Sequence, residues 1–251
     1  MFNIKIADLV ITIDNKYSEV RDRCADYITA EENNTDITLS VTEDRMQYSI
    51  EYKRQFDGEE ITMPEAEYDA IHYGLYARLH QFDAFWLHSV LIEKGGKGYA
   101  FAANPGGGKS THAGLWLKNY DDAVIVNGDN TIIRRSIDDG VFYGYGTPFC
   151  GKEGHQENRR VPVDAICFIE KSPANYVEQM KPLDAAMRLL KENWCVSRKD
   201  AMTLMKLYID MSEQVKFRCV HCNMDPDAAR VAYESISEQQ VRQTGRKSRH
   251  E

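Results

Sequence analysis

One short stretch limits the possible folds of this chain more than any other. In FAANPGGGKSTHAG, residues 101–114, three consecutive glycines precede a lysine and two hydroxyl residues. The apolar run before the glycines predicts a strand, and residues 109–118 after them predict a helix. A strand, a glycine loop ending in Gly-Lys-Ser and a helix is the arrangement that surrounds nucleotide phosphates with backbone N–H groups and the positive end of a helix. The sequence therefore predicts a polyphosphate site.

The residues of this loop have separate expected tasks. Glycine is needed where a Cβ would block the approach of the backbone to phosphate or forbid the required dihedral angles. Lys109 is the candidate for contacting the β and γ phosphates of ATP, and Ser110 for placing a hydroxyl on Mg²⁺. Ala103 replaces the first glycine of the GxxxxGK[ST] pattern. The competing interpretation is a glycine-rich hairpin turn with an exposed lysine. The residues expected to contact the nucleotide are Asn104, Pro105, Gly106, Gly107, Gly108, Lys109, Ser110 and Thr111.

Composition and charge exclude several classes of protein. The 251 residues carry a net charge of −8, which argues against a general nucleic-acid binder. Six scattered cysteines and the lack of an apolar run of about 18 residues predict a cytoplasmic protein with no membrane span. Cys219-Val-His-Cys222 has the spacing of half a zinc site, but no second pair accompanies it, so we interpret it as a strand end.

Alternating apolar residues predict a β-rich lobe in the first third of the chain, with a turn or bulge at Ala7 and Asp8. Thr62-Met-Pro-Glu65 forms a capping box with proline at the first helical position. It predicts a helix of about five turns that ends near Phe85. The alternating positions are Phe2, Ile4, Ile6; Leu9, Ile11, Ile13; Ile37, Leu39, Val41; and Tyr48, Ile50, Tyr52.

From His88 onward, predicted strands and helices alternate. Two strands flank the turn Lys94–Lys97, and the second strand leads into the glycine loop. Further strands are expected over residues 123–127, 131–136, 141–145, 164–170 and 215–219. Helices are expected over residues 183–193 and 199–214, and a last one begins at Asp225-Pro226. In the second of these helices, Met202, Met205 and Ile209 share one face.

Asp129 follows the apolar run 123–126, at the expected carboxyl end of a strand. A carboxylate there can bind Mg²⁺, accept a proton from a substrate, or do both. The other interpretation is a turn aspartate, because Asn127-Gly-Asp-Asn130 also matches a hairpin turn.

The residues around the loop resemble the kinase domain of HPr kinase/phosphorylase, which shares a P-loop core with phosphoenolpyruvate carboxykinase. The resemblance covers about residues 88–170, in the segments HSVLIEKGGKGYAFAANPGGGKST, VIVNGDNTII and YGTPFCGKEGHQENRRVPVDAICFIE. It implies an α/β fold with an HPr-kinase/PEP-carboxykinase-like P-loop core, a mixed β-sheet and a β-rich N-terminal lobe. The family has a histidine at this distance before the loop, which marks His88 as a catalytic candidate. A neutral His88 can hold a carboxylate by a hydrogen bond, and a protonated one can attract phosphate.

The family also carries two acids after the P-loop helix. One accepts the proton of the substrate serine and the other helps to hold Mg²⁺, but this chain has Gly128-Asp129. Glu153, between Gly151 and Gly154, is our candidate for the second acid. Lys152 and Arg159 are candidates for neutralising or clamping phosphate. The catalytic candidates are therefore Asp129, Lys109, His88 and Glu153, and the candidate metal ligands are Ser110 and Asp129.

Three segments are expected: a lobe with its helix packed on the core over residues 1–85, a kinase-like core over 86–236, and a disordered basic tail over 237–251. The predicted function is an ATP- and Mg²⁺-dependent kinase that transfers the γ-phosphoryl group to a hydroxyl, expected to be serine, of a protein or a small metabolite. The alternatives are a nucleotide-binding regulatory module without transfer activity and a carboxykinase-like metabolic enzyme. The acceptor, the reverse phosphorolysis and the formation of a homo-oligomer stay open.

Overall fold

A computed structural model describes residues 1–31, 34–151, 153–193, 195 and 197–237. These residues form a three-stranded sheet, an eight-stranded sheet and seven α-helices, so the predicted α/β class with a mixed sheet is confirmed. The strands are β1 Phe2–Ile6, β2 Leu9–Asp14, β3 Ile37–Ser40, β4 Ala84–Lys94, β5 Lys97–Ala102, β6 Val124–Asn127, β7 Asn130–Arg135, β8 Phe142–Tyr145, β9 Arg160–Lys171, β10 Tyr176–Gln179 and β11 Lys216–Cys222. The helices are α1 Ser18–Arg23, α2 Glu43–Tyr52, α3 Met63–Tyr76, α4 Lys109–Asn119, α5 Pro182–Glu192, α6 Arg198–Met211 and α7 Asp227–Ser237.

The smaller sheet begins with a hairpin, so the bulge or turn expected at Ala7 and Asp8 is a turn. Strands β1 and β2 pair antiparallel, and Ala7 and Asp8 form the turn with φ angles of 53° and 57°. Strand β3 joins β2 in parallel. The apolar side chains of this sheet pack with helices α1 to α3, and the same core takes in Ile132, Tyr145 and Phe149 from the rest of the chain. The N-terminal lobe and the remainder of the molecule therefore share one apolar core.

The strand expected around Tyr48, Ile50 and Tyr52 is wrong, because these residues lie in helix α2. The Thr42 hydroxyl accepts the N–H of Arg45, and so caps the start of this helix. The side chains of Tyr48 and Tyr52 are about half exposed, while Met46 is fully buried. The alternating aromatics thus lie largely on the outer side of a helix, and the lobe holds fewer strands than the sequence predicted.

Helix α3 begins as predicted but ends earlier. The N–H and the hydroxyl of Thr62 both donate to the Glu65 carboxylate, at 2.8 and 2.9 Å, which confirms the predicted capping box. The helix stops at Tyr76 instead of near Phe85, and Asp83 takes a left-handed φ of 52° before β4. The residues around Phe85 pair with β7 and are buried in the larger sheet, so burial in a central strand decides their structure.

The larger sheet has the order β10-β11-β9-β5-β4-β7-β8, with β6 also pairing β4. Strand β9 runs parallel to β5 and β11 and antiparallel to β8. The pairings β4–β5, β5–β9, β9–β8, β8–β7 and β7–β4 close a circuit of strands. On β4, His88 pairs with Asn130 of β7, whereas the next residue, Ser89, pairs with Ala102 of β5. His88 therefore lies between the start of the glycine loop and the turn that carries Asp129.

Helices cover both faces of this sheet. Side chains alternate along each strand. Thus Ala100 and Ala102 of β5 pack towards α5 and α6, and Tyr99 and Phe101 pack towards α4 and α7. Helices, sheet and helices thus form three layers, and the glycine loop follows the carboxyl end of the central strand β5.

Two details differ from the sequence-based expectations. Strand β10 was not expected, because its residues Tyr-Val-Glu-Gln are mostly exposed on the sheet edge and give no apolar pattern. Helix α6 is present, but its buried face consists of Leu204, Leu207, Tyr208 and Met211. Met202 and Ile209 of the expected face are exposed. Both faces have helical spacing, so periodicity alone could not choose between them.

Among the helices of the described residues, none has both the length and the apolar composition needed to cross a bilayer. The division into segments 1–85, 86–236 and 237–251 stays a prediction, as does the cytoplasmic location. Residues 238–251 of the expected tail lie outside the described residues.

Candidate functional site

The glycine loop, residues 103–108, joins the end of β5 to the first residue of α4. Gly106 and Gly108 have φ angles of 70° and 101°, and a Cβ on either would meet no atom within 4 Å. A Cβ on Gly107 would lie 2.7 Å from both the carbonyl oxygen of Asn104 and the Cβ of Ala103. The loop is therefore tight on its inner side and open on its outer side, in front of the N-terminal end of an 11-residue helix. This is a suitable shape for holding an anion against backbone N–H groups.

Three charged or polar side chains meet beside this loop. The Lys109 Nζ lies 2.7 Å from the His88 Nε2 and 3.5 Å from the Asp129 Oδ1. The His88 Nε2 lies 2.9 Å from the same Oδ1. These three residues come from α4, β4 and the β6–β7 turn, and we call them the triangle. The structure thus brings together three of the four residues that the sequence marked as catalytic.

The electrostatics of the triangle favour a charged carboxylate. Burial alone would raise the pKa of Asp129, but the hydrogen bond from His88 and the charge of Lys109 outweigh it and lower that pKa below its ordinary value. Burial lowers the pKa of Lys109, against the opposing charges of Asp129 and Glu192. The side chain of Lys109 is only 10% exposed, whereas Asp129 is 30% exposed and remains open to a cation.

Asn127 builds the turn that presents Asp129. Its side-chain oxygen accepts the backbone N–H groups of Asp129 and Asn130, at 2.9 and 2.7 Å. Its amide donates to the backbone and hydroxyl oxygens of Thr147, at 3.1 and 3.2 Å. Asn127 is completely buried. In the sequence, Asn127 is recognisable only as part of a turn pattern, although a side chain that bonds the backbone two residues ahead is the usual reason for asparagine in such turns.

Gly128 stands where the resemblance implies a second acid, and its surroundings leave little room for one. Its N–H donates to the carbonyl oxygen of His155, at 2.9 Å. A Cβ on Gly128 would lie 3.2 Å from the Cβ of His155. A carboxylate here would require the segment around His155 to move.

Glu192 is an acid beside the triangle that the sequence analysis missed. It is the last residue of α5, and its Oε2 is buried without a hydrogen-bond partner among the described residues. Burial raises its pKa, and the charges of His88, Arg188 and Lys109 oppose that rise. No local motif marks this residue, because only the packing of α5 against the sheet brings it near the triangle.

Glu153 and Arg159 have their nearest ionic partners outside the triangle. The side chain of Glu153 is 59% exposed, and its carboxylate lies 3.9 Å from the His155 ring. Arg159 forms ion pairs of 2.6 Å with Glu93 and with Glu157. Glu93 pairs with Gly98, at the opposite end of β5 from the glycine loop, a distance of roughly 13 Å at about 3.3 Å per residue. Neither residue has an ion pair or hydrogen bond to the triangle among the described residues, although the loop of Glu153 passes close to Asp129, where a Cβ on Gly151 would lie 3.2 Å from the Asp129 Cβ. Glu153 therefore stays a candidate, and Lys152 lies outside the described residues.

The exposed start of α4 carries the other candidates. Ser110 and Thr111 are exposed, as are Asn104 and Pro105 in the loop before them. Their polar groups are open to a ligand on the outer side of the loop.

Two cavities adjoin these residues. The aromatic cavity, of about 360 Å³, lies between α2, α3, β4 and the end of α5, and includes Tyr52, Tyr76, Trp86 and Glu192 in its wall. Trp86 connects it to the triangle, because its ring stacks on that of His88 with centroids 6.0 Å apart. The loop-side cavity, of about 550 Å³, lies between the glycine loop and the ends of β9 and β11. Ligands of α/β sheets commonly bind at such carboxyl ends of strands.

The cysteines of β11 do not form a paired metal site. Cys222 contacts the His112 ring at 3.8 Å on one side of the sheet, while Cys219 points to the other side. Cys219, His221 and Glu170 have donor atoms within 4.8 Å of one another. Glu170 is already neutralised by Arg188 at 2.9 Å, so this cluster is accounted for as a polar sheet edge.

Comparison with known proteins gives a family and a distant structural likeness. No curated protein matches the chain. Among solved structures, the chain is similar to the Hpr(Ser) kinase/phosphatase from Coxiella burnetii, with a TM-score of 0.32 and 8% sequence identity, covering 60% of this chain and 95% of that one. Residues 59–225, more than half of the chain, match the family model described as SynChlorMet cassette protein ScmC. The protein therefore belongs to the SynChlorMet cassette protein ScmC family.

Proposed function

We propose that this protein is a phosphotransferase that uses ATP and Mg²⁺ to move the γ-phosphoryl group onto a hydroxyl. The observation that carries the proposal is the position of Lys109, which follows an open glycine loop and has its ammonium group beside His88 and Asp129. Phosphoryl transfer requires three parts: a loop that binds an anion, a lysine and a carboxylate. Here the lysine and the carboxylate lie beside the loop. The finer fold assignment, an HPr-kinase-like P-loop core, belongs to this proposal and is supported by the glycine loop between β5 and α4.

The nucleotide would be held on both sides of the loop. The triphosphate would lie against the N–H groups of residues 106–111, where two glycines with positive φ leave the outer side of the backbone uncovered. The nucleoside would enter the loop-side cavity, whose wall includes the polar residues Lys171, Ser172 and Asn223. In this arrangement the γ phosphate would point towards the triangle.

The residues present also suit Mg²⁺, which prefers oxygen ligands. Asp129 would supply a carboxylate, because its lowered pKa keeps it charged at neutral pH and it remains partly exposed. Ser110 would supply a hydroxyl from the exposed first turn of α4. The ion would add positive charge next to the transferred phosphoryl group.

The protein's own residues would act mainly by position and charge. Lys109 would turn from His88 and Asp129 to the β and γ phosphates, since a polyphosphate offers it more negative charge than one carboxylate. His88 would keep its hydrogen bond to Asp129 and so fix the direction of that carboxylate. Phosphoryl transfer needs little covalent chemistry from a protein, so such placement can supply most of the rate enhancement.

A nucleotide-binding regulatory module without transfer activity is the second candidate. The packing of His155 against Gly128 favours it, because an acid at this position would lie in tight contact with the Cβ of His155. The two functions differ in turnover: the module would bind ATP and leave it intact, whereas the phosphotransferase would convert it to ADP.

Lys109→Ala tests the nucleotide site. We expect the affinity for Mg²⁺–ATP to fall more than about tenfold, because the substitution removes the positive charge at the β and γ phosphates. Isothermal titration calorimetry on the purified chain measures this affinity. Lys118→Ala, at the exposed end of the same helix, is the matched control and should bind ATP like the parent. An affinity of K109A within about threefold of the parent would refute the proposed phosphate site.

A further inference from the structure

We propose that Glu192 is the general base of this site and that the aromatic cavity receives the hydroxyl acceptor. The inference rests on the proposed phosphotransferase function. It names the second acid that Gly128 does not supply, and places it on α5 rather than on the loop that carries Glu153.

The Glu192 carboxylate lacks a hydrogen-bond donor on one of its oxygens. The Oε2 of Glu192 is buried and accepts no hydrogen bond from the described residues. A buried acceptor without a donor costs stability, so such groups are uncommon unless a ligand supplies the donor. The O–H group of an acceptor would be such a donor.

Glu192 lies at the aromatic cavity and also near two residues of the triangle. Glu192 lines the aromatic cavity and is also close enough to His88 and Lys109 for its charge to act on Lys109. An acceptor in the cavity therefore has the carboxylate on the side that faces the phosphates. The aromatic walls, including Tyr52, Tyr76 and Trp86, suit a hydroxyl compound with an apolar or aromatic body.

Asp129 and Glu192 would have different tasks in the reaction. Asp129 is held by His88 and Lys109, which makes it a weak proton acceptor and a good ligand for a cation. Glu192 is mainly affected by burial, which makes its carboxylate the stronger proton acceptor of the two. The charged groups that act on it are His88 of β4, Lys109 of α4 and Arg188 of α5, while Lys53 and Asp69 line other parts of the cavity.

The reaction balances without further groups. The acceptor oxygen gives its proton to the Glu192 carboxylate and forms a bond to the γ phosphorus. The bond between that phosphorus and the oxygen bridging to the β phosphate breaks, and ADP leaves with the electron pair. Glu192 then releases the proton to solvent, and the acceptor leaves as a phosphate ester.

Glu192→Gln tests the proposal, because it keeps the shape of the side chain and removes the proton acceptor. Turnover of Mg²⁺–ATP is measured with water as the acceptor, and with serinamide and tyrosinamide as hydroxyl probes. We expect kcat to fall at least about a hundredfold while the affinity for ATP stays within about threefold. Asp184→Asn, an exposed acid in the first turn of the same helix, is the control and should keep the parent rate.

A second measurement separates catalysis from folding. A residue with only a structural role would lower the melting temperature when replaced, whereas E192Q should melt no lower than the parent at pH 7, since a buried charge is removed. An unchanged kcat in E192Q, or ATP binding by the parent without turnover on any acceptor, would overturn the role of Glu192. Failure of the parent to bind ATP would instead overturn the proposed function on which this inference rests.

Discussion

Asp129 and Glu192 are two carboxylates near His88 and Lys109 whose surroundings shift their pKa values in opposite directions. Around Asp129, the hydrogen bond from His88 and the charge of Lys109 favour the charged form. Around Glu192, burial dominates and favours the neutral form. The difference comes from the residues that surround each carboxylate in the folded chain.

The opposite shifts lead to opposite effects of pH on stability. For Glu192 the folded pKa is raised, so the stabilisation is complete below its ordinary value of 4.5 and is lost as the pH rises through the raised pKa. For Asp129 the folded pKa is lowered, so the stabilisation is present above its ordinary value of 3.8 and is lost as the pH falls through the lowered pKa.

Urea unfolding of three proteins at pH 4 and pH 7 checks these signs. Relative to the parent, E192Q should gain stability at pH 7 and little at pH 4, because glutamine resembles the protonated acid. Asp129→Asn should lose stability at pH 7 and nearly as much at pH 4, because both values lie above the ordinary pKa of 3.8 and the loss shrinks only at lower pH. A loss for E192Q at pH 7 would contradict the inferred environment of that residue.

At the level of single elements, the turn between β6 and β7 depends on one buried side chain. Asn127 bonds both the N–H groups that lead into β7 and the segment around Thr147. Asp129 therefore receives its position from Asn127, whose side-chain hydrogen bonds go to Thr147 and to the backbone of the turn.

Asn127→Ala should lower the free energy of unfolding by about 2–4 kcal/mol, because it leaves several buried groups without partners. It should also reduce phosphoryl transfer, since Asp129 loses its fixed direction. Asn158→Ala serves as the control, because its amide makes an exposed contact with the carbonyl oxygen of Asp26 and should matter far less. Denaturant titration gives the free energies, and equal losses in the two variants would contradict the role given to Asn127.

The sequence predicted the elements whose signals are local. The β1–β2 hairpin, the capping box at Thr62 and the strand–loop–helix around Lys109 depend on neighbouring residues, and all are present. Helix α2 was missed because Tyr48, Ile50 and Tyr52 also fit the period of a strand, and only tertiary packing buries Met46. Glu192 was missed for a similar reason: it is far from Lys109 along the chain, and no pattern links the two.

At the level of the whole molecule, the N-terminal lobe is fixed to the larger sheet by its first hairpin. Arg134 is almost fully buried and donates to the carbonyl oxygens of Ala7 and Phe82, at 2.6 and 3.1 Å. Asp8 accepts from Tyr145 and from Arg160, both at 2.6 Å. Together with the shared apolar core, these contacts should make the molecule unfold as one unit.

Arg134→Ala tests this coupling. We expect a single calorimetric transition in the parent and in the variant, with the variant less stable by about 2–3 kcal/mol because two buried carbonyl groups lose a charged donor. Arg230→Ala is the control, since its ion pairs with Asp227 and Glu234 are exposed and should contribute little to stability. Two separate transitions in the parent would contradict the coupling.

The wall of the aromatic cavity is formed by elements from two different parts of the chain. Its outer side comes from α2 and α3, whereas the glycine loop and the triangle belong to the larger sheet and α4. Under the proposed function, substitutions in residues 43–76 should therefore alter which acceptor fits and leave the glycine loop, Lys109 and Asp129 unchanged.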